Sequence, residues 1–190
     1  FPDDLEFPKR PSWKQGTSKY ALESNEEKYF RDYANELFEK FDGISHFELN
    51  LETWRQLWRV IELSDVLLVT VDCRYPTAMF PPSLYRYVRS LGKDAILVLN
   101  KVDLLPLPLV LAWKAHFLKL YPDIKVTYFT SCPSYNLRSN FASDEPGLKH
   151  RRLRGRISMV TEGAQQVYEA CKEIVTSAGV EVNLEGWEEL

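Results

Sequence analysis

Three short apolar runs, separated by segments of helical character, constrain this chain more than any other feature. DVLLVTVD (65–72) and AILVLN (95–100) are rich in Val, Ile and Leu, and KVTYFTS (125–131), with Val, Tyr, Phe and two Thr, reads as a third strand. Between them lie PPSLYRYVRSL (81–91), opened by proline, and PLVLAWKAHFLKLY (108–121). Continuous apolar strands joined by helical crossovers predict a β-α-β-α-β unit: a parallel sheet, α/β in class, covered by helices on both faces with right-handed connections. In such sheets ligands sit beyond the carboxyl ends of the strands. All three runs end there in polar or small residues: Asp72, Asn100, and Thr130 with Ser131.

Upstream the pattern differs. Residues 1–17 hold Pro2, Pro8 and Pro11 among charges and aromatics, which predicts an extended arm. From Ser24, SNEEKYFRDYANELFEKF brings Tyr29, Phe30, Tyr33, Leu37 and Phe38 round at helical spacing. Ser24 with Glu27 reads as a capping box, so a helix is expected from Ser24 to near Gly43. A second helix is expected over Leu51 to Leu63, with Asn50 as its cap and Trp54, Leu57, Trp58 and Ile61 on one face. That stripe reads as core.

Composition excludes several classes. A net charge of -3 supplies no global field for nucleic acid, so any such contact must come from a local patch. Cys73, Cys132 and Cys171 are odd in number and widely spaced, which argues against a disulfide framework or a zinc site and for a reducing, intracellular setting, cytoplasmic or nuclear. Cys171 sits at a helical position and reads as packing. His46, His116 and His150 have no ligand spacing, so no metal site is expected among them. No stretch approaches the ~18 apolar residues of a membrane-spanning helix. The chain opens on Phe1 rather than Met, which suggests a fragment.

The chemistry concentrates at N-K-V-D, residues 100–103. A carboxylate accepts two parallel N–H bonds, and the guanine edge offers two neighbouring donors, its ring N–H and its exocyclic amine. Asp103 just past a strand end is therefore suited to reading guanine, whereas adenine turns a lone pair toward it. Asn100 can bond the base and tie neighbouring loops, and the Lys101 stem can lie along the base face with its ammonium in water. The plainer alternative is a βα turn in which Asp103 caps the next helix and Lys101 is solvated. FTSC (129–132) favours the base-reading alternative, because it lies one crossover later, where a guanine site needs a backbone N–H for the base oxygen.

NKVD followed by TSC resembles the base-recognition pair of Ras-like GTPases. No G-x-x-x-x-G-K-[ST] phosphate loop precedes or follows it. LETWRQLWRVIELSDVLLVTVDCRYPTAMFPPSLYRYV further resembles the circularly permuted GTPases, in which base-recognition motifs come first and a D-A-R-x-P segment follows the first strand. Here that segment is Asp72, Cys73, Arg74, Tyr75 and Pro76, with Cys for Ala.

The resemblance implies a guanine-base site made by Asn100, Lys101, Asp103, Ser131 and Cys132, with the Cys132 N–H facing the guanine oxygen. Cys132 replaces a usual Ala, and Pro133 stands where Ras-like proteins often carry Lys. Asp72 and Arg74 are assigned to loop structure, and no catalytic residue is expected. The implied architecture is the first half of a circularly permuted Ras-like G domain. Residues 1–49 form an arm and helix, 50–178 the base-recognition half, and 179–190 a linker toward a phosphate-loop half. GTP is the implied cofactor, magnesium joins only with the downstream half, and this chain alone is expected to be inactive. The strand that would pair beside DVLLVTVD belongs to that other half, so this edge should lie open.

Lys149, Arg151, Arg152, Arg154 and Arg156 form a basic run that reads either as a solvated linker or as an RNA or import contact. The resembled family includes ribosome-assembly GTPases, which implies a possible role in ribosome biogenesis. Two competing classes remain at this point: a non-enzymatic protein or RNA interaction module retaining the half-fold, and a flavodoxin-like doubly wound enzyme.

Overall fold

The computed structural model describes residues 5–41, 43, 47–131 and 163–178. They fall in two compact units divided between Ser64 and Asp65.

The first unit carries α1 (Lys19–Lys40) and α2 (Leu51–Leu63) behind an extended strap. Helix α1 starts before the expected Ser24. Its N-cap is Ser18, whose hydroxyl accepts from the Ala21 N–H at 3.2 Å. Residues 19–23 (KYALE) contain strong helix formers, so nothing local stops the helix until the turn at Gly16, whose φ is +95°. Ser24 therefore lies within the helix and caps nothing.

Helix α2 has the expected bounds, with Asn50 accepting from the Glu52 N–H at 3.0 Å. Its apolar face is core as expected, Trp58 and Ile61 both being buried. The Trp58 indole N–H donates to the Pro8 carbonyl at 2.7 Å, which fixes the strap on this unit. Glu26, 2% exposed, accepts from Arg10 Nε at 2.9 Å and Arg55 Nε at 2.8 Å, binding strap, α1 and α2 together. By these contacts α2 groups with the N-terminal unit, so the division falls after it, where the strand and helix alternation begins, and not before it at residue 50.

The second unit is the expected α/β fold. Strands β1 (Val66–Asp72), β2 (Asp94–Asn100) and β3 (Lys125–Phe129) form a parallel sheet in the order β1-β2-β3. Short α3 (Pro76–Met79), not anticipated from the pattern, and α4 (Pro82–Ser90) link β1 to β2. A 3-10 turn (Val102–Leu104) and α5 (Leu107–Leu120) link β2 to β3. Helix α6 (Ala164–Ser177) follows.

Phe80, Tyr85, Phe117 and Tyr121 pack ring against ring, with centroids 5.1–6.0 Å apart in their closest pairs. Ile96 and Val98 of β2 pack with Ala170 and Ile174 of α6, and Cys171 lies against that cluster as a packing residue. Gly163 caps α6 so close to β3 that an added Cβ would stand 2.0 Å from the Tyr128 carbonyl oxygen.

Among the described residues, cover on both faces holds for β2 but not for β1. Leu68 is 50% exposed and Thr70 is also exposed, because α6 packs on β2 and β3 and stops short of β1. A groove of about 550 Å³ opens there, with Leu68, Val98, Phe129, Val167 and Val175 among its apolar walls. Among the described residues β1 pairs only with β2, so its outer edge is open.

Candidate functional site

Strand register brings the site together. Asp72 pairs with Asn100 and Asn100 with Phe129, so the three strands end level and present Asp72, Asn100 and Thr130 along one edge.

The N-K-V-D loop turns sharply at Lys101, whose φ of +62° is left-handed. Among the described residues it is the one non-glycine there. The Asn100 side-chain oxygen accepts the Lys101 N–H at 2.8 Å, and buried Val102 anchors the turn that follows. The next helix, α5, has Pro106 as its N-cap and no side-chain cap bond, so Asp103 does not serve as its cap. Asp103 instead reaches across to the other crossover, where its Oδ1 accepts from the Thr130 hydroxyl at 2.6 Å. Thr130 is 1% exposed and therefore a fixed donor. Among the described residues the other Asp103 oxygen has no partner, and each carboxylate oxygen has two acceptor directions, so a two-pronged contact remains open to a ligand.

Lys101 departs from expectation. Its ammonium is not simply in water but lies 3.0 Å from Asp72 Oδ2, with the side chain half exposed. Asp72 also accepts from the Arg74 backbone N–H and Nε, each at 3.0 Å, and from an Arg74 terminal nitrogen at 2.7 Å. Those Arg74 bonds, with Lys101 after them, hold the Asp72 carboxyl well below the usual carboxylate range despite burial. Its assignment to loop structure is thus incomplete: the same carboxylate also grips a residue of the base loop.

The neighbouring Cys73 thiol is pushed up to about 11, chiefly by burial. At neutral pH it is a protonated packing group and not a nucleophile. Burial also raises the Cys171 thiol.

Of the sequence-derived site, Asn100, Lys101 and Asp103 share the loop after β2, and exposed Ser131 follows the Thr130 that bonds Asp103. Cys132 lies outside the described residues, as do Pro133 and the basic run from Lys149 to Arg156. Thr130 and Asp72 were picked out by the T-S-C and D-C-R-x-P segments, but the bonds they make, Thr130 to Asp103 and Asp72 to Lys101, were not anticipated from the sequence. Among the described residues no group of three or more His, Cys, Asp or Glu could hold a metal ion, and no helix is long and apolar enough to cross a membrane.

A three-stranded parallel α/β unit with N-K-x-D after its second strand and T-S after its third is consistent with half of a Ras-like G domain, with a D-C-R-x-P segment after its first strand. Comparison with known proteins agrees. The chain is 44% identical over 190 residues to guanine nucleotide-binding protein-like 1 of Mus musculus and of Homo sapiens, which covers 97% of this chain and 30% of each relative. It is 34% identical over 135 residues to Large subunit GTPase 1 of Saccharomyces cerevisiae, covering 67% of this chain and 21% of that protein. No family model matches. These similarities are consistent with the N-terminal portion of a circularly permuted GTPase, and the chain spans 30% of the length of the first of these relatives.

Proposed function

We propose that this chain supplies the base-reading half of a guanine nucleotide site in a longer GTPase. The observation that carries the proposal is the Asp103 carboxylate, held by buried Thr130 from the neighbouring crossover with one oxygen unpartnered among the described residues. Asp103 would accept the guanine ring N–H and exocyclic amine, the Lys101 stem would lie on the base face, and Asn100 keeps the loop folded. The Cys132 backbone N–H is the donor assigned to the guanine oxygen. The names of the mouse, human and yeast relatives support nucleotide binding. Phosphoryl transfer needs a phosphate cradle and a metal site. Among the described residues no group of three His, Cys, Asp or Glu is placed to hold a metal ion, and magnesium is assigned to the downstream half together with the phosphate cradle.

Asp103→Asn tests the reading. Replacing the carboxylate by an amide loses a charge-assisted pair, about 1.5–3 kcal/mol, and an amide N–H can donate to the extra carbonyl of xanthine. In NMR titrations of the chain, guanosine should weaken by roughly 10- to 100-fold and xanthosine should gain on it. Equal guanosine affinity in both proteins would remove Asp103 from the base site.

A role in ribosome biogenesis, in the cytoplasm or nucleus, with RNA contacted through Lys149, Arg151, Arg152, Arg154 and Arg156, is a further part of the proposal. It is supported by the local concentration of cations in a chain of net charge -3.

A further inference from the structure

The D-C-R segment at the end of β1 and the N-K-V-D loop at the end of β2 are joined more closely than two adjacent strand ends require. The Cys73 N–H donates to the Asn100 carbonyl at 2.9 Å, and the Cys73 thiol donates to the Lys101 carbonyl at 3.1 Å. The Lys101 ammonium then crosses to Asp72 Oδ2 at 3.0 Å. Asp72 has a 9% exposed side chain already fixed by Arg74, so the acceptor it offers is rigid. Lysine is the opposite: a four-carbon stem with many rotamers, whose freedom is lost whenever a ligand needs it in one place.

We propose that Asp72 is a positioning residue for base recognition, holding Lys101 stretched along the strand ends before the nucleotide arrives. The inference rests on the reading of N-K-V-D as the base loop. Preordering the stem removes part of the entropy cost that binding would otherwise meet. Because the stem contacts the base face and not its edge, Asp72 should govern how tightly a purine is held and leave the choice between purines to Asp103.

The experiment is a double-mutant cycle on the full chain, read by NMR titration with guanosine and with inosine, which lacks the exocyclic amine. Asp72→Asn should weaken both nucleosides by the same factor, about 2- to 5-fold, the range of a half-exposed ion pair. In a Lys101→Gln background Asp72→Asn should have no further effect. Equal weakening with and without Lys101 would mean that Asp72 acts only through the Arg74 loop, and no weakening with Lys101 present would overturn the proposal directly. Asp103→Asn separates the two readings: it should erase the preference for guanosine over inosine, and an unchanged preference defeats base reading by Asp103 and not the Asp72–Lys101 link.

If Asp72→Asn does not fold, or guanosine binding is too weak to titrate, acetylation of the unsubstituted chain decides by mass spectrometry. Lys101 should react several-fold more slowly than exposed Lys119, and equal rates would show that Asp72 does not hold it.

Discussion

Thr130→Val removes one atom's worth of chemistry from the centre of the site. Valine keeps the shape of threonine and replaces the hydroxyl that donates to Asp103 Oδ1 at 2.6 Å. A hydrogen bond to a charged group contributes about 1.5–3 kcal/mol. Two effects offset part of that. Asp103 is only partly buried, so water can replace the lost donor, and the new methyl enters a site that is 1% exposed, where each buried apolar carbon gains about 0.8 kcal/mol. The net loss of folding stability should be about 1 kcal/mol, read as a lower urea midpoint with an unchanged slope.

Binding should suffer separately. An Asp103 side chain freed to sample its rotamers must be ordered by the ligand, at about 0.5–1.5 kcal/mol, so guanosine affinity should fall roughly 2- to 10-fold. The preference for guanosine over inosine should survive, since the carboxylate itself is intact, and Thr130→Ser, which restores a hydroxyl, should recover most of the affinity. Unchanged guanosine affinity in a stably folded Thr130→Val protein would refute the argument that Thr130 presents Asp103 to the base.

Gly163→Ala should lower the melting temperature sharply. Alanine at φ +99° is strained by about 1–3 kcal/mol before its Cβ meets the Tyr128 carbonyl oxygen at 2.0 Å, and a thermal melt unchanged from the parent would contradict that packing. Acid should expose the contribution of Asp72. Arg74 first, and Lys101 after it, depress its folded pKa below the unfolded value near ~3.9, so its stabilisation is fully present above that value and is lost as pH falls toward the folded pKa. The stability gap between the parent and Asp72→Asn should therefore be flat from about pH 7 to 5 and narrow below about pH 4, as urea melts across that range would show. For the basic run, neutralising Arg151, Arg152 and Arg154 should flatten the salt dependence of RNA binding by ~2 to 3 units of log–log slope, and a slope indifferent to the substitutions favours a plain linker.

Element types were readable in the sequence because their causes are local. A strand buried on both faces must be apolar without interruption, as AILVLN is, and Asn50 caps α2 through a bond to a residue two positions away. The start of α1 was also a local matter, but two serines competed for it, and the unbroken helix formers between them settled it for Ser18. N-K-V-D was legible as a motif for the same reason: its residues are neighbours in the chain.

What holds those residues was not legible. Thr130 lies 27 positions from Asp103, and Asp72 lies 29 from Lys101. Each pair meets only because parallel pairing brings the three strand ends level, a register that no local pattern specifies. The open face of β1 has the same origin, since Leu68 and Thr70 are left exposed by where α6 packs and not by anything in the strand itself. Sequence alone determined which side chains stand at the carboxyl edge, because that follows from where each apolar run ends. Tertiary structure decided which of them grip one another, because a hydrogen bond of about 3 Å depends on strand register and spacing, quantities set by the packing of the whole sheet.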